Sequence, residues 1–181
     1  MDIRFIHIMK NGGTSVYKFL RKNNIDFLLG YNADVFDIKG QHKPARDFLK
    51  EKSRMFCIVR NPYSRLVSFY NWMHRMPEYK DITFDFFVEN KYKYKRAKTA
   101  WNLQKEMITD SSDKIIVHKI FYFENMEKEL KDYFKINTKF PHLNKSTNMP
   151  YQNYYTEKTQ NIVYEHFKED FNLFGYKKCL T

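Results

Sequence analysis

Residues 7–15 read His7-Ile8-Met9-Lys10-Asn11-Gly12-Gly13-Thr14-Ser15. A lysine, a glycine pair and two hydroxyls at the start of a helical pattern are suited to holding an anion. Glycines let the backbone curl around phosphate oxygens without a Cβ clash. Free N–H groups at a helix start point outward, and the helix dipole adds partial positive charge there. Thr14 and Ser15 add hydroxyl donors, and Lys10 adds a full charge aimed at the same place. The plainer alternative is an ordinary tight turn. The nucleotide-triphosphatase loop G-x-x-x-x-G-K-[ST] is not matched, because the lysine precedes the glycines and the loop is shorter.

A second stretch, Phe56 to Tyr70, again runs apolar strand, turn and helix. Arg60 stands where the strand ends and a helix capped by Asn61 begins, a second geometry for an anion. Ser64 and Ser68 are four residues apart and share one helix face, so a hydroxyl can support the arginine. The alternative is an arginine paired with a surface carboxylate, and serines merely tolerated in the helix. Two such sites in one small sheet suggest a ligand with two separated phosphate-type groups.

The elements that must carry these residues follow from periodicity. Ile3 to Ile8 reads as a short buried strand, and Ser15 to Lys22 as an amphipathic helix that Asn23-Asn24 ends. Ile25 to Leu29 forms a second strand, Gly40 to Pro44 a loop, and Ala45 to Glu51 a helix that Pro44 opens. Met55 to Val59 is the central strand, and the helix after Pro62 carries Leu66, Val67, Phe69, Tyr70 and Met73 on one face. Thr83 to Ile108 reads as helical and is the most basic part, with Lys91 to Arg96 at its centre. Lys114 to Phe123 has strand content and Glu127 to Phe134 is helical. Asn137 to Tyr155 is a polar loop region, and Glu157 to Phe167 a final long helix. Strands alternating with helices predict an α/β fold, a mainly parallel central sheet flanked by helices. With no repeat and no long linker, one domain is expected over residues 1–181.

Hydrophobic residues make up 43% and aromatic residues 18% of the 181, which is a globular composition. No run of about 18 uncharged apolar residues is present, so no membrane span is expected. Asp2, Arg4 and Lys10 break any secretory leader, and the two cysteines, Cys57 and Cys179, match no metal spacing. A reducing, cytoplasmic setting fits, with Cys57 a buried thiol. The net charge of +11 predicts attraction to anions without choosing among nucleotides, nucleic acid, glycans or membrane surfaces. A solvated lysine-rich surface accounts for it equally well.

The motifs together resemble sulfotransferases that use 3′-phosphoadenosine-5′-phosphosulfate, particularly the carbohydrate sulfotransferase branch. Residues 5–15 fit the family's first loop, F-I-H-[IV]-x-K-x-G-G-T-S, with Met9 where proline is usual and Asn11 where threonine is common. Val59 to Tyr70 fits the second motif, V-R-[DN]-P-Y-x-R-L-[VL]-S-x-Y. Ile120 to Met126, Pro141 to Ser146 and Asp170 to Tyr176 resemble later segments, in the correct order along nearly the whole chain.

The resemblance implies a P-loop-like fold and roles residue by residue. Lys10, Asn11, Gly12, Gly13, Thr14 and Ser15 would hold the 5′-phosphosulfate, and Arg60 and Ser68 the 3′-phosphate. Adenine would rest by the late loop, Leu143 to Ser146, with Asn144 and Ser146 as contacts. Lys10 would stabilise charge building on the bridging oxygen, and no metal is expected, because no carboxylate cluster for magnesium is apparent. Of the six histidines, His42 falls where many members carry a functional histidine, in Gly40-Gln41-His42-Lys43-Pro44-Ala45, and is the expected base. An exposed loop histidine is its alternative reading. His7 is expected to be structural and His142 to shape the ligand loop. The acceptor is expected to be a glycan or other hydroxyl compound, with Lys91 to Arg96, Trp101 and Gln104 as possible groove residues or a solvated basic face. Many carbohydrate members are anchored in the secretory pathway, so the missing anchor points to a bacterial or viral setting.

Two other function classes stay open on the residues alone. A nucleotide kinase-like phosphotransferase would share the glycine loop, although no lysine follows the glycines. A non-catalytic polyanion-binding module would use the charge and interleaved tyrosines, although the ordered motifs argue against a nucleic-acid partner.

Overall fold

The computed structural model describes residues 2–29, 42–91, 93, 99–143 and 149–179. Its strands are β1 (Ile3–Ile6), β2 (Leu28–Leu29), β3 (Arg54–Val59) and β4 (Lys119–Tyr122). Its α-helices are α1 (Gly13–Lys22), α2 (Pro62–Met73), α3 (Phe84–Glu89), α4 (Met126–Phe134), α5 (Glu157–His166) and α6 (Lys168–Phe174). The chain divides into two compact units, residues 1–60 with 104–143, and residues 61–103 with 144–181.

The first is a sheet unit. Its four strands are all parallel in the order β2-β1-β3-β4, so β1 and β3 are the inner pair. Buried on both faces, β3 is apolar from Met55 to Val59, as a parallel inner strand must be. Phe5, Phe56, Ile58 and Phe121 of the sheet pack in one core with Val16, Phe19 and Leu20 of α1 and Leu130 of α4. Arg4 is the charged exception on β1. It pairs with Glu51, and its guanidinium covers the Phe48 ring at 4.0 Å.

The second is a helical unit. Asn61 caps α2 by accepting from the Tyr63 amide at 2.9 Å, and Pro62 opens the helix. Aromatic rings fill the interior: Tyr70 meets Phe84 edge-on at 5.2 Å, and Trp101 stacks on Phe167 at 5.7 Å. Arg65 is buried among them and donates to the Asn102 carbonyl at 3.0 Å. Burial lowers its pKa to about 10, and the charge of fully buried Asp170 works against that fall.

The expected α/β fold with a parallel sheet is observed, and several boundaries move. The first strand stops at Ile6 rather than Ile8, because the chain turns there and the Asn11 amide reaches back to the Ile8 carbonyl. The helix after the glycines starts two residues early, at Gly13. Residues 45–48 form a 3-10 turn instead of a helix. Thr83 to Ile108 holds α3 and two 3-10 turns, at 99–101 and at Lys105–Met107, among its described residues. Its apolar residues are anchored by tertiary packing, with Phe87 and Trp101 tucked into the aromatic core, and need no continuous helix. The helix from Glu157 is not the last, since α6 follows and ends at Gly175 in the left-handed region, φ 71. Cys57 is buried as expected, and burial raises its thiol pKa. Among the described residues no helix is long and apolar enough to cross a membrane.

Candidate active site

The glycine loop leaves β1 at the carboxyl end of the sheet, where ligands of open α/β sheets bind. Two of its residues adopt left-handed backbone, Lys10 at φ 68 and Gly12 at φ 79. For Gly12 that geometry is free of strain, and a Cβ there would lie 3.0 Å from the Met126 terminal methyl. For Lys10 it costs about 1–3 kcal/mol, a strain that persists where surrounding contacts over-determine it. One such contact is the Arg60 guanidinium, which donates to the Lys10 carbonyl at 2.9 Å. Gly13 is needed for space instead: a Cβ on it would fall 1.8 Å from His7 Nε2, so the imidazole packs directly against the loop.

At the second glycine, Gly13, the ten-residue α1 begins. The amides of Ser15 and Val16 bond to the Gly12 carbonyl, while those of Gly13 and Thr14 find no acceptor among the described residues. Two open donors beside a lysine fit a phosphate or sulfate group. Ser15 is buried, and its hydroxyl accepts from the Leu143 amide at 3.1 Å, which brings the start of the late loop to α1. Asn144 and Ser146 lie outside the described residues, as do Gly40, Gln41 and most of Lys91 to Arg96.

Asn11 faces inward. Its side-chain amide donates to the Ile58 carbonyl at 2.6 Å and to Gln104 Oε1 at 2.7 Å, and its own N–H bonds to the Ile8 carbonyl at 3.3 Å. Every Asn11 donor therefore braces the loop. Arg60, at the end of β3, is half-buried with its guanidinium 3.9 Å above the Phe123 ring. His42 joins the same cluster: its Nδ1 lies 2.8 Å from the His7 carbonyl, and the two imidazoles are 4.4 Å apart, centroid to centroid. A carbonyl can only accept, so Nδ1 carries the proton and Nε2 is the basic nitrogen.

Lys10, Asn11, Gly12, Gly13, Thr14, Ser15, His42 and Arg60 thus belong to one unit, and hydrogen bonds link the segments that carry them. Ser68 is half-buried on α2, in the helical unit. Trp101 and Gln104 do not line a groove for an acceptor, because both are buried, at 5% and 0% exposure. The remaining histidines bond to groups outside this cluster. His118 Nδ1 accepts from the Met55 amide, His74 Nε2 bonds to the Ile82 carbonyl, His166 Nε2 to the Trp101 carbonyl, and His142 Nε2 to Glu127. The contributions of Gln104 and of the His7 ring escape sequence reasoning, since their partners are distant in the chain or carry no motif of their own.

No curated protein and no solved structure matches the chain. A family model does, that of the Sulfotransferase family, over residues 2–177. Because that match takes in the glycine loop, the Arg60 turn and every helix and strand of both units, the chain belongs to the sulfotransferase family.

Proposed function

We propose that this sulfotransferase takes its sulfuryl group from 3′-phosphoadenosine-5′-phosphosulfate and delivers it to a hydroxyl of a carbohydrate. The observation that carries the reading is the hydrogen bond from Arg60 to the Lys10 carbonyl, which joins the two anion-binding turns in one sheet unit. The donor, when bound, supplies a sulfuryl group on a phosphate leaving group.

The chain's own residues divide the work. The Gly13 and Thr14 amides and the Thr14 hydroxyl hold the 5′ anionic group, with Gly12 letting the backbone approach closely. Lys10 places an ammonium beside the leaving oxygen, where charge stabilisation lowers the barrier most. Ser15 adds a hydroxyl at the same helix start while tying Leu143 to it. Arg60 takes the 3′-phosphate through its guanidinium, and Ser68 of the second motif assists. Asn144 and Ser146 serve the adenine side. His42, with its proton on Nδ1 directed at the His7 carbonyl, presents Nε2 to remove the acceptor's proton. Asn11 acts from behind the loop as a brace.

The carbohydrate acceptor rests on the resemblance of the two leading motifs to the carbohydrate branch. Transfer from radiolabelled donor across glycans, lipids and simple alcohols tests it. In the same assay Lys10→Ala should lose about 10²–10³-fold in turnover, and undiminished turnover would refute the role of the loop. His42→Ala should lose turnover while keeping its affinity for adenosine 3′,5′-bisphosphate; normal turnover would place the base elsewhere.

A further inference from the structure

Backbone pairing between β1 and β3 ends at Ile6 and Cys57. Past that point the two segments part, Lys10-Asn11 lying in the glycine loop while Ile58-Val59 finishes β3 and leads to the Arg60 turn, with no ladder between them. Side chains do the joining. Gln104, from neither segment, is fully buried at 0% exposure. Its Oε1 accepts from the Arg60 amide at 2.9 Å and from Asn11 Nδ2 at 2.7 Å, while its Nε2 donates to the Arg60 carbonyl at 2.8 Å. Toward Arg60 it therefore imitates a neighbouring strand, accepting from the N–H and donating to the C=O of one residue. Toward Asn11 it fixes the loop that carries Lys10.

We propose that Gln104 is a positioning residue that sets the spacing between the two anion-binding turns, so that one ligand bearing two phosphate-type groups is gripped by both at once. The inference rests on the two-phosphate reading of the site above. A buried amide filling a hole in the core would bond to whatever lay nearest. Gln104 instead divides its bonds between the residue after Lys10 and Arg60 itself, the two places from which the charged groups extend. The Arg60 guanidinium on the Lys10 carbonyl closes the same bridge from the other side. When two contacts are held at a fixed separation, the second engages at high effective concentration; loosening the spacing removes that advantage and leaves each contact intact.

The test compares affinities for adenosine 3′,5′-bisphosphate and adenosine 5′-monophosphate by calorimetry, in wild type, Gln104→Met and Gln104→Glu, with melting temperatures alongside. Methionine keeps the volume and removes all three bonds. Glutamate keeps both acceptor contacts and loses the donor to Arg60. Wild type should prefer the bisphosphate. That preference should shrink about tenfold or more in Gln104→Met, with monophosphate affinity nearly unchanged, and should shrink as well in Gln104→Glu, whose second carboxylate oxygen meets the Arg60 carbonyl. General destabilisation lowers the folded fraction for both ligands equally and leaves the ratio alone. A wild type without the preference overturns the two-phosphate reading, and the positioning role with it. A wild type with the preference and variants that keep it overturn the positioning role alone, whatever their melting temperatures. If neither variant folds, Gln104 is a folding residue and the proposal is likewise overturned.

Discussion

Of the buried polar side chains in the sheet unit, His7, Asn11, Ser15 and Gln104 gather on the turns at the carboxyl ends of β1 and β3 and on the segments that brace them, apart from Arg4, Ser53 and Thr109. In the helical unit the phenol groups of Tyr63, Tyr70 and Tyr155 are spread through an aromatic interior, and each donates to a backbone carbonyl, of Lys178, Ile82 and Tyr63 respectively. The first arrangement concentrates buried polarity where a ligand can use it. The second spends it on tying loops and helices down around rings. Damage to the sheet unit's polar residues should therefore appear first in binding and turnover, and damage to the helical unit's in stability.

Removing the carboxylate that faces Arg65 should have the largest effect. Asp170→Ala leaves a buried guanidinium without its compensating charge, and denaturant unfolding should register a loss of about 3–5 kcal/mol. A fall in turnover with unchanged stability would break the division of labour between the units. Gly13→Ala comes next. Its Cβ collides with His7, so transfer should drop about 10²-fold through displacement of the loop. Adding His7→Ala to that variant makes room and should recover most of the loss. Without recovery, the imidazole is not what excludes the side chain.

Alkaline pH sharpens the contrast within the helical unit. Burial raises Tyr63 to about 12 and lifts Tyr70 and Tyr155 as well. Unfolded tyrosines release their protons near pH 10 while the folded ones keep theirs, so stability from these groups is full below pH 10 and declines as pH rises toward 12. Arg65 acts the other way, because burial lowers its pKa and its folded form holds its proton less firmly than the unfolded one. Three groups against one should give a net loss, read as an earlier denaturant midpoint together with tyrosinate absorbance appearing on unfolding. The smallest effect belongs to Lys128→Ala, which breaks an exposed pair with Asp132 on α4 and should leave both melting temperature and turnover unchanged.

Local chemistry made much of the sheet unit, and the start of the helical one, legible before any coordinates. The apolar run at Met55–Val59, the Asn61-Pro62 helix start and the glycine loop each announce themselves within a few residues, and each falls where expected within one or two positions. Gln104 did not, because its meaning lies in partners 44 and 93 residues away. Asn11 looked like a ligand donor for the same reason: its type suits phosphate, and only its distant acceptors show that it faces inward. Thr83 to Ile108 misled in the opposite sense. Its apolar spacing suits a helix, whereas Phe87 and Trp101 are held by other rings of the helical unit. The charge partner of Arg65, on α6, lies about a hundred residues beyond it, out of reach of any local pattern.

The order of segments along the chain has a consequence for biosynthesis. Each unit is made of two separated stretches, and they alternate. A growing chain that has emerged as far as Arg60 holds β1, β2 and β3 but not the edge strand β4, which follows only at Lys119. By then α2 and α3 have also appeared, still without α5 and α6, and Arg65 carries its charge without Asp170. Neither half can finish before the other has begun, so each waits on contacts of long sequence separation. During that interval β3 presents an unpaired, apolar edge, and the nascent chain is most exposed to aggregation until β4 arrives.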